Sequence, residues 1–157
     1  MSIRIYTDGS AKGNPGPGGY GIVLLSDEGH RKELAKGYRK TTNNRMELLS
    51  VIVALEMLKS RPTDVLVYSD SKYVVDAVEK KWVFNWEKKY FDKKKNVDLW
   101  KRFLIIYRQH NVKFFWVKGH ANNVENERCD KLAVAAAEAE QHHDIDKGYE
   151  AQNSSLL

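Results

Sequence analysis

The chain has 157 residues, of which 42% are hydrophobic and 30% are charged, a profile typical of one globular domain with a substantial core. No apolar run approaches the roughly 20 residues of a membrane-spanning helix, and the N-terminus lacks the apolar segment of a signal peptide. The single cysteine, Cys129, excludes an intrachain disulfide framework and suits a reducing compartment. We therefore expect a cytoplasmic monomer without a membrane partner.

Strand and turn signals alternate in the first 40 residues. Residues 3–8, 20–25 and 31–38 have the composition of strands, and the stretches 13–19 and 27–29 between them are rich in turn-forming residues. Because the connections are short, we expect these three strands to form an antiparallel meander.

Helices and strands alternate in the rest of the chain. Apolar spacing predicts helices over about 44–59, 71–79, 97–110 and 125–140, with strands over 64–69 and 112–117. Right-handed crossovers place both later strands parallel to the first. The sequence therefore predicts an α/β fold: a five-stranded mixed sheet of order 3-2-1-4-5 with helices on both faces. Residues 1–140 are expected to form a single domain, with a basic protrusion at about 80–98, and residues 141–157 a flexible C-terminal tail.

Four acidic residues lie where this fold would bring them together. Asp8 and Asp70 end the two strands that flank the switch point of the sheet, where ligands of open α/β sheets bind. Glu47 lies in the first turns of the first helix, and Asp130 interrupts the apolar stripe of the last. His120 lies in the loop before that helix, where it would move protons at neutral pH if this site exists and is incidental otherwise.

Three of these acids also have simpler explanations. Asp8 precedes a glycine, as in many turns; Glu47 lies three residues after Asn44, as in a capping box; and Asp70 directly precedes a helix that it would cap. Asp130 is harder to explain in this way, because its neighbours on the helix face are apolar. A divalent cation accounts for all four, since clustered carboxylates repel one another and Mg²⁺ or Mn²⁺ prefers oxygen ligands.

Positive charge is concentrated in one segment. The whole chain has a net charge of +5, whereas residues 80–102 contain nine Lys or Arg against three acids, a local charge of +6. Trp82 and Trp86 lie in this segment, one helical turn apart. Interleaved aromatic and ammonium groups favour a nucleic-acid surface, in which the rings contact sugar or base and the lysines contact phosphate. A local aromatic core is the alternative explanation of the two tryptophans.

These residues closely resemble type 1 ribonuclease H, the family that cleaves RNA in RNA–DNA hybrids. The matching stretches span residues 3 to about 137 and are 7–10 (TDGS), 13–21 (GNPGPGGYG), 41–48 (TTNNRMEL), 68–74 (YSDSKYV), 96–100 (NVDLW) and 116–132 (WVKGHANNVENERCDKL). Each is weak alone, but together and in this order they are very specific.

The resemblance implies a ribonuclease H-like fold and an endoribonuclease that hydrolyses the RNA strand of RNA–DNA hybrids with little sequence specificity. It implies that Asp8, Glu47, Asp70 and Asp130 hold two Mg²⁺ ions together with the scissile phosphate, with Mn²⁺ as a substitute. Cleavage would leave 5′-phosphate and 3′-hydroxyl ends, and His120 would assist proton transfer or product release.

The resemblance also implies a set of substrate-binding residues. They are Asn14, Thr42, Asn43, Asn44, Lys72, Trp82, Trp86 and Asn96. Asn14, Asn43 and Asn44 match contacts to the minor groove and to RNA 2′-hydroxyls. Thr42 and Asn96 match a pocket for a DNA-strand phosphate, and the two tryptophans match the channel on the DNA side. Lys72 replaces a usual glutamine, which predicts a phosphate contact there. Two alternatives stay open: a catalytically silent hybrid-binding module, and a DNA-directed nuclease of the same fold.

Overall fold

The computed structural model describes residues 2–118 and 123–153 and shows one mixed sheet with helices on both faces. The strands are β1 (Ser2–Ala11), β2 (Gly16–Ser26), β3 (Arg31–Thr41), β4 (Asp64–Ser69) and β5 (Asn111–Trp116). The helices are α1 (Asn43–Glu56), α2 (Lys72–Glu79), α3 (Trp82–Lys88), α4 (Val97–Tyr107), α5 (Val124–Glu138) and α6 (Lys147–Gln152), with a 3₁₀ turn at Glu140–His142.

The sheet has the predicted strand order and directions. The order is β3-β2-β1-β4-β5, in which β2 pairs antiparallel with both β1 and β3, and β4 and β5 run parallel to β1. The pairing of β2 begins at Gly16, opposite Thr41, so part of the predicted turn-rich stretch belongs to the strand. At Gly19 the absence of a side chain leaves room for α5, since an added Cβ atom would lie 2.8 Å from the Ala133 backbone oxygen.

Helix α5 packs directly on β2. A Cβ atom added at Gly21 would lie 2.3 Å from the backbone oxygen of Cys129, so only glycine permits this approach. Cys129 is buried, as expected for a free cysteine, and its Sγ donates to the Tyr6 backbone oxygen at 3.2 Å. Burial raises the pKa of this thiol. The position of α5, and therefore of Asp130, is fixed by this contact.

Helix α1 lies on the opposite face and forms the centre of the main core. It packs between β1 and α4, and most of its side chains are buried. Trp100 and Phe103 of α4 are fully buried beside it, with their rings edge to face at 5.5 Å between centroids. None of the helices in residues 2–118 and 123–153 is long and apolar enough to cross a membrane.

Residues 141–153, which were expected to belong to a flexible tail, contain a helix and hydrogen bonds to the rest of the chain. The backbone of Arg39 donates to the Asp144 backbone oxygen at 3.0 Å, and α6 follows shortly afterwards. Asp146 is only 6% exposed and accepts two hydrogen bonds from Arg45, at 2.8 and 2.9 Å. Charged side chains, rather than apolar ones, hold this segment to the rest of the domain. Its composition is therefore polar, and for that reason the sequence suggested a flexible tail.

Candidate active site

Close packing of α1 on β1 brings the first two acids together. A Cβ atom added at Gly9 would lie 2.4 Å from the backbone nitrogen of Glu47, so the glycine next to Asp8 allows the two backbones to touch. Asp70 follows β4, the parallel neighbour of β1, and so lies at the same edge of the sheet. The three acids therefore meet although they come from three separate elements.

The four predicted acids line one pocket of about 480 Å³. One carboxylate oxygen from each of Asp8, Glu47 and Asp70 lies within 4.8 Å of the others. Asp130 reaches the same pocket from α5, and its charge helps to raise the pKa of Asp8. His120 was predicted beside this site and lies outside the described residues.

The acids of the cluster are close enough to repel one another. Burial and then the charge of Asp70 raise the pKa of Asp8 to about 7. Burial, followed by the charges of Asp8 and Asp70, raises the pKa of Glu47 well above its usual range. The Glu47 Oε2 atom is buried and has no hydrogen-bond partner. A buried oxygen without a donor, inside a group of hard oxygen ligands, fits a divalent cation such as Mg²⁺ or Mn²⁺.

The simpler explanations of the acids do not agree with the local structure. The N-cap of α1 is Thr42, whose Oγ1 accepts from the backbone of Arg45, so the capping box with Asn44 is wrong. The cap of α2 is Ser71 rather than Asp70. Strand β1 continues past Asp8 to Ala11, so no turn follows that residue.

The predicted asparagines organise the loop beside the carboxylates. The Asn14 side chain accepts from the backbone of Asn43 at 3.1 Å, and the Asn43 side chain accepts from the backbone of Ala11 at 2.6 Å. Asn43 and Asn44 line the carboxylate pocket. Asn44 also lines a second cleft, which joins it to Asn14, Thr42 and Asn96. The structure thus places the candidate minor-groove and phosphate contacts side by side.

Lys72 lies at the carboxylate pocket and is held by an aromatic ring. Its Nζ atom is 4.7 Å from the centre of the Trp116 ring, a cation–π contact. The Trp116 Nε1 atom donates to the backbone oxygen of Asp70 at 3.2 Å. Trp116 therefore links this ammonium group to the loop that carries an acid of the cluster, a role that the sequence analysis missed.

The two tryptophans of the basic segment lie on α3 but in different surroundings. Trp82 is 44% exposed, whereas Trp86 packs edge to face against Trp100 at 5.7 Å between centroids. Both line a small cleft with Lys89 and Lys94, and the Nζ atom of Lys94 lies 5.0 Å from the centre of the Trp86 ring. The aromatic-core explanation is thus partly right for Trp86, which serves both the core edge and the cleft.

Arg45 is the main residue that the sequence analysis did not consider. Its side chain is 1% exposed and forms paired hydrogen bonds with both Asp98 and Asp146. Burial alone would raise the pKa of Asp98, but the hydrogen bonds from Arg45 lower it. An arginine at the start of a largely apolar helix was the signal in the sequence, but the neighbouring residues did not indicate its partners.

The sheet order and the carboxylate pocket beside a lysine-rich surface define a nuclease of the class that gathers acids around divalent cations. The family model described as RNase H matches residues 1–138, and the chain belongs to the RNase H family.

Individual relatives agree with this assignment. The ribonuclease H of Desulforamulus reducens is 58% identical over 140 residues, covering 86% of this chain and 87% of that protein. The crystal structure of LC9-RNase H1, a type 1 RNase H with the type 2 active-site motif, has a TM-score of 0.79 and 32% identity, covering 99% of this chain and 82% of the other. LC11-RNase H1 in complex with an RNA/DNA hybrid has a TM-score of 0.63 and 27% identity, covering 88% and 99%.

Proposed function

We propose that this protein is an endoribonuclease that hydrolyses the RNA strand of RNA–DNA hybrids and leaves 5′-phosphate and 3′-hydroxyl ends. The observation that carries the proposal is the meeting of three carboxylate oxygens within 4.8 Å, in a pocket that two asparagines and a lysine also line. An acidic cluster repels a nucleic acid unless cations occupy it, so cations and substrate are expected to bind together.

Asp8, Glu47, Asp70 and Asp130 would hold Mg²⁺, with Mn²⁺ as a substitute. When bound, two such ions supply an acidified water as the nucleophile and a positive charge that stabilises the leaving oxygen. Because burial and the neighbouring carboxylates raise the pKa values of Asp8 and Glu47 in the cation-free protein, binding of cations to these acids is expected to release protons.

The remaining residues would position the hybrid. The side-chain amides of Asn14, Asn43 and Asn44 both donate and accept, as recognition of a 2′-hydroxyl and of base edges in the minor groove requires. Lys72 would contact a phosphate near the scissile bond. Contacts to sugar and phosphate carry no sequence information, so little sequence preference is expected.

Other contacts lie further from the cleavage site. Thr42 and Asn96 would bind a DNA-strand phosphate, and Trp82 and Trp86 would line the path of the same strand. His120 is proposed to carry protons or aid product release. We further propose that the protein acts as a cytoplasmic monomer, which a single buried cysteine supports.

The proposal is tested by cleavage of an end-labelled hybrid by the wild type and by Asp70→Asn. Loss of one carboxylate should lower kcat by at least about 100-fold, while hybrid affinity changes little because the binding clefts are intact. Asp64→Asn is the matched control, since this exposed acid lies at the opposite end of β4 and should behave as wild type.

Three results would contradict the proposal. Equal cleavage by Asp70→Asn would exclude the carboxylate site. Retention of hybrid by the wild type without turnover in Mg²⁺ or Mn²⁺ would indicate a silent binding module. The third result comes from a panel of hybrid, double-stranded RNA, double-stranded DNA and junction DNA. If one of the DNA substrates were cut fastest, the protein would be a DNA-directed nuclease.

A further inference from the structure

The second cleft of the structure, with a volume of about 520 Å³, is built partly from the C-terminal helix. We call it the amide cleft, because five of the residues that line it have side-chain amides. Its lining residues are Asn14, Pro15, Thr42, Asn44, Lys94, Lys95, Asn96, Val97, Tyr149, Gln152 and Asn153. The last three belong to α6 or directly follow it, and no sequence motif that suggested a function contains them.

A buried ionic network fixes α6 against the rest of the cleft. Asp146 caps α6 by accepting from the Tyr149 backbone at 3.2 Å, and Thr41 and Arg45 hold Asp146 in turn. Arg45 also binds Asp98 at 2.8 and 2.9 Å, two residues after Asn96. One guanidinium group thus connects α6 with the start of α4, and both lie beside the cleft.

The side chains of α6 offer hydrogen-bond donors to the cleft. Gln152 Nε2 donates to Asp98 Oδ1 at 3.1 Å, and Asn153 Nδ2 donates to the Tyr149 backbone oxygen at 2.9 Å. Because a primary amide has two N–H groups, each of these amides retains a second donor. A phosphodiester oxygen accepts such donors readily.

The charge of the amide cleft also suits an anion. Its lining residues all lie in the described part of the chain, and they include two lysines and no acid. The nearby carboxylate of Asp98 is paired with Arg45, but the same guanidinium group also pairs with Asp146, so these three groups together carry one negative charge. The two ammonium groups of Lys94 and Lys95 outweigh this single negative charge, so an anionic group that enters the cleft meets an excess of positive charge.

We propose that α6 is a substrate-binding element in which Gln152 and Asn153, with Thr42 and Asn96, bind a phosphodiester of the DNA strand. This inference rests on the proposed function and extends it, because the C-terminal segment becomes part of the hybrid-binding surface. The buried network around Arg45 then positions α6 for binding as well as stabilising the fold.

The test compares the wild type with the double variant Gln152→Ala/Asn153→Ala. Each enzyme is assayed on unmodified hybrid and on a series of hybrids in which one phosphate of the DNA strand, at a different position in each, is replaced by a neutral methylphosphonate. With unmodified hybrid, KM should rise about tenfold at unchanged kcat, since hydrogen bonds to a charged group are lost while the carboxylates are intact. At one position, the methylphosphonate should raise the KM of the wild type by a similar factor. The same substitution should change the KM of the variant little, because the variant has already lost that contact. Both residues are exposed, so the melting temperature of the variant should be unchanged. Gln141→Ala, at another exposed residue of the same segment, serves as a matched control.

The outcomes separate the inference from the function on which it rests. If the variant lost as much affinity as the wild type at the sensitive methylphosphonate, the two effects would be independent and α6 would not contact that phosphate. Unchanged KM in the variant would also overturn the inference, while the nuclease activity would stand. Failure of the wild type to cleave any hybrid in Mg²⁺ would overturn both.

Discussion

Replacing Asp8 by asparagine should stabilise the cation-free protein at neutral and alkaline pH. Asp8 is 4% exposed, and burial and the charge of Asp70 raise its pKa from 3.8 to about 7. The unfolded chain releases this proton near pH 4, whereas the folded chain holds it to about pH 7. The raised pKa therefore favours folding fully below pH 4, and this contribution is lost as the pH rises through 7.

The magnitude follows from the two pKa values. A rise from 3.8 to about 7 corresponds to about 4 kcal/mol, at about 1.4 kcal/mol per pKa unit. Asparagine keeps the acceptor for the Gly9 backbone N–H, but this hydrogen bond, 2.9 Å long in the wild type, becomes neutral and weaker by about 1 kcal/mol. We therefore expect the variant to be more stable by about 3 kcal/mol at pH 8.5, with the difference shrinking towards pH 4.

The assay is urea unfolding at a series of pH values in the presence of EDTA, with Asp64→Asn as the isosteric control on an exposed acid. At pH 8.5 the melting temperature of Asp8→Asn should be about 6–12 °C higher than that of the wild type, for a chain of this size. Mg²⁺ should stabilise the wild type more than the variant, because cations bind the folded carboxylate cluster. A stability difference that does not change with pH, or a variant less stable than wild type at pH 8.5, would refute the electrostatic reasoning.

Three further substitutions test other parts of the structure. Arg45→Met should cost about 3–5 kcal/mol in urea unfolding because it leaves the buried Asp146 uncompensated, and a loss below about 1 kcal/mol would contradict this. Lys72→Gln should raise KM and lower the slope of log affinity against log salt by about 1, whereas an unchanged slope would exclude a phosphate contact. Gly21→Ala places a Cβ atom 2.3 Å from the Cys129 backbone oxygen and should lower the free energy of unfolding by at least about 1–3 kcal/mol. A variant with the melting temperature of the wild type would show that α5 does not pack this closely on β2.

The sheet order and the acid cluster followed from local patterns together with general rules of chain connection. Short links make the first three strands a meander, and right-handed crossovers place β4 beside β1. Asp8 and Asp70 could then be placed at one edge of the sheet. The prediction that β1 ends at Asp8 was wrong, because β1 continues to Ala11, but its pairing with β4 ends at Tyr6, just before Asp8, and Asp70 directly follows β4. The start of β2 at Gly16 was not predicted, because the glycine- and proline-rich stretch 13–19 has the composition of a turn.

Local patterns along the chain were sufficient for the five strands, their order, four of the helices and the four acids, since each depends on periodicity or on the position of one element. The partners of Arg45 depended on the folded chain, because this residue meets Asp146 across 101 positions of sequence. Likewise, the polar composition of residues 141–153 predicted a flexible tail, whereas the ion pair between Arg45 and Asp146, the N-cap of α6, depends on the tertiary structure. Contacts between distant charges leave no periodic trace in a sequence, so the C-terminal wall of the amide cleft became visible only when the tertiary structure brought its residues together.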